Sequence, residues 1–427
     1  MSTRPSCALP LLCLVQGSER FAFFAVFPLF VLYMQRHIGM VEHSALLLLG
    51  GFLALSYLAC VPAGFLADRW LGSFGSILLG TLCLATGYGV LALDRTDLLG
   101  LALSLQLIGH GLFKPGITVS TGRLYPVGDA RRERSFMAQH IAVNVGAMAG
   151  PLCSEWSRAH GWPTMFRWAA CGMAVAIVGL LVGHRWLTSA ITYRPAVSSI
   201  AVAASAARSR TRAIWLLCLV GAVFYLTAQQ AGTSLALFAE RHTRSSLPWL
   251  HRSLELGPGH FASLHGLLVV LLMPPLLAGL AALRRRNCEP SAIAKMIWGY
   301  VVTATAFVLM VTACLHGGDT DRVNPAWLTG CYVLLSLAEL LLAPMSLSLI
   351  TQLAPLGKSA RMVGLWLAAT ALGNALAGAL GLLWGTWPNH RYFALLVLGS
   401  LGAAIVLLIK QRSLDWILEQ TATGAAA

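Results

Sequence analysis

The chain has 427 residues, 57% of them apolar and 11% charged, with a formal net charge of +14 at pH 7. A soluble globular chain carries about 25% charged residues, because its surface faces water; this composition excludes an ordinary soluble domain and points to a chain solvated by lipid. The positive balance does not imply nucleic acid: the basic residues form short clusters between apolar runs, such as Arg131, Arg132 and Arg134, or Arg284 to Arg286, as in loops beside anionic headgroups, with no basic groove or stacking platform.

A hydrocarbon core of about 30 Å needs about 20 apolar residues per helix. Runs of that kind lie at 9–34, 45–66, 77–93, 98–120, 137–156 and 165–186, then at 213–238, 261–283, 293–315, 326–350, 362–384 and 392–409. They predict an all-α membrane protein of about twelve spans. The first run is too long for a signal peptide and lacks a small-residue cleavage site. Residues 188–212, rich in Ala, Ser and Arg, read as a cytoplasmic linker between a six-helix N-terminal bundle (1–187) and a six-helix C-terminal bundle (213–427). An even span count puts both termini on one side. Lys and Arg are concentrated in the loops of that side, so the termini are expected in the cytoplasm of a multi-pass protein of the cell (inner) membrane.

The ten cysteines, scattered singly from Cys7 to Cys331 without a CxxC pair, read as reduced, buried, small apolar side chains. Pro28, Pro62, Pro115, Pro151, Pro274, Pro275 and Pro344 interrupt spans, as ordinary kinks or as gating hinges. There is no HExxH, phosphate loop or nucleophile elbow, so neither an enzyme nor a metal or cofactor is expected.

An ionisable side chain at the bilayer centre costs about 2.5–3.5 kcal/mol on insertion scales, so each one needs a reason. Glu19 and Arg20 stand in the first span, Lys114 in the fourth and Glu339 in the tenth, with His140 and His265 near the starts of the fifth and eighth. Two cations and two anions balance, which suggests pairing in a polar cavity; buried ion pairs that only hold helices together are the alternative. The histidines fit a hydrogen-bonded packing role as well as ligand contact. The segment GFLADRWLG, from Gly64 to Gly72, matches the signature that major facilitators carry between helices two and three. There Asp68 caps and salt-bridges at the cytoplasmic gate, while Arg69 faces headgroups.

Several segments, in order, resemble the proton-dependent oligopeptide transporter family of the major facilitators. They are QGSERFAFF (16–24), GLFKPGITVSTGRLYP (111–126), IAVNVGAMAGPL in the fifth span, FYLTAQQAGTSLALFA in the seventh, AELLLAPMSLSLITQLAP in the tenth and GLWLAATALGNALAG in the eleventh. The resemblance implies two six-helix bundles with a small peptide held between them, alternating access, coupled protons and a monomer in the bilayer. It places Arg20, Lys114 and Asn144 at the substrate's carboxylate end and backbone, Tyr57 in the binding site, Glu339 at the α-ammonium group and Trp366 on the pocket wall. His265 occupies the place of a family asparagine, and Glu19 is expected to pair with Lys114. Gln16 and Gln229 replace family glutamates, Phe23 and Phe24 a tyrosine pair and Phe27 an arginine. An amide does not titrate in the physiological range. Proton coupling is therefore expected to be weakened or rerouted through Glu19, Glu339 and the histidines. The leading function is uptake of di- or tripeptides; export of a peptide-like drug or natural product is the alternative, and a transport-dead sensor a third.

Overall fold

The computed structural model describes residues 5–126, 129–158, 160–191, 204–243, 258–317, 322–355, 357–381, 383–384 and 386–426. The first expected span lies within α1 (Pro5–Arg36). The second divides into α2 (Glu42–Leu58) and α3 (Cys60–Leu66). Pro62 is the reason: its ring lacks an N–H and would clash with the carbonyl of Leu58, where α2 ends. One wide turn of π-helix, Ala67–Leu71, carries the helix two–three signature into α4 (Gly72–Leu91). Then follow α5 (Leu99–Arg123), α6 (Ala130–Arg158), α7 (Trp162–Val182) and the short α8 (His184–Ile191).

The seventh span is broken as well. Its first part is α9 (Ala204–Ala228), a 3₁₀ turn covers Gln229–Gly232, and α10 (Ser234–His242) resumes. The rest are α11 (Pro258–Arg285), α12 (Ala292–Gly317), α13 (Pro325–Leu353), α14 (Ser359–Gly381) and α15 (Asn389–Ala426). Helices α5, α6, α11 and α13 run through their prolines unbroken. Of the linker expected at 188–212, residues 192–203 lie outside the described residues.

Ten stretches among the described residues are long and apolar enough to cross a membrane. One of them, Leu48–Leu91, runs through two expected spans. Helix α6 is not among them, because its charged first turn and Gln139, His140 and Asn144 dilute its apolar content. The outward faces are bare hydrocarbon: Val182 is 68% exposed, Leu398 67% and Ile409 71%. In water such a surface would be costly; against acyl chains it is matched. The cysteines are free, but only Cys60, Cys218, Cys314 and Cys331 are buried, while Cys7, Cys171 and Cys288 are exposed. That corrects the expectation of uniform burial: a lipid-solvated helix tolerates a small apolar side chain on either face.

The chain forms two compact units. The first comprises Met1–Trp215, Leu347–Ala371 and Ile417–Ala427; the second comprises Leu216–Ser346 and Leu372–Trp416. Within the first, α1 lies against α6 through the small-residue motif Gly146–Ala–Met–Ala–Gly150. A Cβ on Gly150 would meet the backbone of Phe24 and Ala25 at 2.7 Å. Close backbone approach of this kind is how helices associate where lipid removes the hydrophobic driving force.

Candidate substrate and proton site

In the first unit, the polar cluster is built on α1 and α5. Glu19 is 1% exposed and is held by its neighbour in sequence: Nε of Arg20 donates to Oε2 at 2.6 Å and Nη2 donates to Oε1 at 2.5 Å. Nδ1 of His110 stands 3.1 Å from the same Oε1. Lys114 is not part of this pair, contrary to expectation. Its Nζ lies 4.0 Å from the centroid of the Tyr57 ring, and no carboxylate among the described residues comes within ion-pair distance of it. Bidentate Arg20 already satisfies the Glu19 carboxylate, so the lysine takes the aromatic face of α2 instead. Asn144 donates to the carbonyl of His140 at 3.0 Å, a bond within α6. Trp366 is 1% exposed.

His110 is not among the residues that sequence analysis singles out. The signal was there: Gln106, His110, Lys114 and Thr118 recur every four residues on one face of an otherwise apolar helix.

The signature between helices two and three is anchored at one point. The carboxylate of Asp68 accepts from the backbone N–H groups of Ala360, at 3.1 Å, and Arg361, at 2.9 Å, in the first turn of α14, where helix donors lack internal partners. The guanidinium of Arg361 stands 3.8 Å from the same carboxylate and stacks on Phe65 at 4.2 Å. A Cβ on Gly64 would meet the carbonyl oxygen of Ala360 at 2.5 Å, so only glycine permits this approach. Arg69 is exposed and lies over Trp70. Nearby, buried Arg132 donates to the carbonyls of Gly122 and Tyr125 and to Thr351; burial pulls its guanidinium down to about 10.

In the second unit, Glu339 of α13 meets His265 of α11: Nε2 and Oε2 are 2.8 Å apart. Ser336 holds the other side of the imidazole, its Oγ 2.9 Å from Nδ1 and 3.3 Å from the His265 carbonyl. Tyr332, Ser336 and Glu339 share one face of α13 at spacings of four and three, a pattern visible in the sequence. Gln229 is exposed at the 3₁₀ break. Its neighbour Gln230 is fully buried and locks that break, donating to Leu226 at 2.9 Å and accepting from Ser234 at 2.7 Å and Tyr392 at 2.8 Å.

A membrane chain of broken apolar helices, with a cationic cluster in one unit and a carboxylate in the other, has the construction of a solute transporter. Comparison with known proteins agrees. A model of the POT family matches residues 74–211 and 190–389. The peptide transporter YePEPT of Yersinia enterocolitica is 32% identical over 438 residues, covering 85% of each chain. The dipeptide and tripeptide permease A of Escherichia coli is 24% identical over 84% of this chain and 81% of its own. Among solved structures, a glutamate-to-glutamine variant of peptide transporter POT in complex with alafosfalin aligns with a TM-score of 0.70 at 25% identity, covering 96% of this chain and 95% of that one. A POT family transporter in complex with 5-aminolevulinic acid aligns with a TM-score of 0.71 at 24% identity, covering 95% and 96%. The protein is therefore a membrane transporter of the major facilitator fold and not an enzyme. It belongs to the POT family.

Proposed function

We propose that the chain takes up di- and tripeptides by alternating access, as a monomer in the cell (inner) membrane with both termini cytoplasmic, and that protons accompany the substrate. One observation supports this above others: the two units carry complementary charges. Lys114 and Arg20 suit a peptide's carboxylate, and Glu339 suits its ammonium group. A zwitterion needs one of each. Asn144 and Tyr57 add polar and aromatic contacts to the cationic side. The names of the relatives, peptide transporters and permeases, favour this over export of a drug or natural product. Neither Gln16 nor Gln229 carries a proton, so coupling passes through Glu19, Glu339 and the histidines. His265 occupies Glu339 as an incoming ammonium would, so substrate binding and release of the imidazole from that carboxylate are one exchange.

The test is binding and uptake of dialanine. Glu339→Gln should abolish dialanine binding in the purified protein, and uptake into proteoliposomes, while leaving the thermal unfolding midpoint within a few degrees of the parent. Binding by that variant equal to the parent's would sink the assignment.

A further inference from the structure

His110 is 1% exposed and lies between two rings, Phe23 at 5.7 Å and Phe52 at 6.3 Å between centroids. Its Nδ1 stands at ion-pair distance from Glu19, but outside hydrogen-bond alignment, and its Nε2 has no hydrogen-bond partner among the described residues. Nitrogen atoms so placed normally find a partner. The charged and titratable groups around the ring are Glu19 and Arg20 on α1, Lys114 one turn on along α5, Tyr57 on α2 and Tyr88 on α4. Cys60 of α3 donates to the His110 carbonyl. A small apolar cavity of about 20 Å³ lies within the first unit, walled by Phe27, Tyr88 and Gln106 together with Phe23 and Phe52, the two rings that pack on His110. Gln106 precedes His110 by one helical turn and its Nε2 is likewise buried and unpartnered. The unpartnered Nε2 of His110 is the atom at which this enclosed ring is free to take a proton.

From this geometry we infer that His110 is the proton acceptor of the first unit: on taking a proton at Nε2 it competes with Arg20 for Glu19 and releases the guanidinium to the substrate's carboxylate. With a neutral imidazole, the Glu19 carboxylate faces one bidentate arginine. An imidazolium 3.1 Å from Oε1 places a second cation on the same carboxylate, with Lys114 already near. One cation must then leave. His110 is enclosed, whereas the Arg20 side chain is 13% exposed, so the arginine is the one free to turn. A bound carboxylate would offset the charge that the proton adds. Proton and anion are thereby favoured together, as reciprocal linkage requires. No bond other than N–H forms and the proton comes from solvent. His110 does not touch the substrate; it is a positioning residue acting through Glu19 and Arg20.

This inference rests on the peptide reading, and the experiment separates the two. Dialanine binding to the full-length purified protein is followed by titration calorimetry across pH, in buffers of differing ionisation enthalpy, beside alanyl-alanine amide, which lacks the carboxylate. The parent should take up a proton on binding dialanine, its affinity falling about tenfold per pH unit above the titration of His110. The amide should show little of that slope. His110→Asn and His110→Gln should bind dialanine with the slope lost, and His37→Asn, whose imidazole pairs with Asp94 at an exposed turn, should keep it. A full slope in both His110 variants, or an equal slope for dialanine and its amide on the parent protein, overturns the inference alone. Failure of the parent to bind dialanine at any pH overturns the peptide reading and this inference with it.

Discussion

Glu19 and Arg20 are adjacent in sequence, buried together and joined by two short hydrogen bonds. Taking both charges out of water is costly, and their attraction offsets that cost only while both remain. Removing one leaves the other stranded in a low-dielectric site, a loss of about 3–5 kcal/mol, whereas removing both can be close to neutral. Glu19→Gln and Arg20→Met should each lower the thermal unfolding midpoint in detergent by several degrees, and the double variant should recover most of the loss. Simple additivity would show that the pair does not hold the cluster together. Lys114→Met, which gives up a cation–π contact on Tyr57, belongs to a smaller class of effect, about 0.5–2 kcal/mol.

Helix contacts in this protein depend on what side chains leave out. Along α1 and α6 the crossing is set by Gly17, Gly146 and Gly150, whose missing Cβ atoms allow backbone to meet backbone. Gly150→Leu inserts a branched side chain where even a Cβ would lie 2.7 Å from the backbone of α1. Overpacking of this kind costs about 1–3 kcal/mol or more. The variant should unfold at lower temperature and show weakened dialanine binding, because α1 carries Glu19 and Arg20; unchanged stability would mean that the two helices can separate without cost. The breaks in helices have local causes. Pro62 ends α2, and buried Gln230, bonded to Leu226, Thr233, Ser234 and Tyr392, secures the turn between α9 and α10.

At the scale of the molecule, acid stability has a well-defined contributor in a carboxylate outside the membrane spans. Glu289, in the short connection between α11 and α12, takes hydrogen bonds from Arg284 and, at 2.9 Å, from Lys295. The Arg284 hydrogen bond, with help from Lys295, holds its carboxyl down to about 2, against an ordinary value of 4.5. A depressed folded-state value stabilises the fold fully above the unfolded pKa and progressively less as pH falls from 4.5 toward 2. The unfolding midpoint should therefore decline through that window, and Glu289→Gln should flatten the decline while being destabilised at pH 7. A decline of equal steepness in the variant would assign acid stability to other carboxylates.

What the sequence determined by itself was the solvent and the outline: apolar runs of fixed length require hydrocarbon, and their positions locate α1, α5, α11, α12 and α13 to within a few residues. It also named Glu19, Arg20, Lys114 and Glu339, because a charge in a span stands out against its neighbours. It could not say who pairs with whom. Glu19 was expected to meet Lys114 and instead meets Arg20 and His110; Glu339, without a basic neighbour on its own helix, meets His265 and so Ser336. Ion pairs inside a membrane are chosen by how helices cross, and crossings are fixed by glycine contacts between segments distant in sequence. A histidine such as His110 looks like one polar residue in an apolar run until tertiary packing sets it beside a buried carboxylate and a cavity.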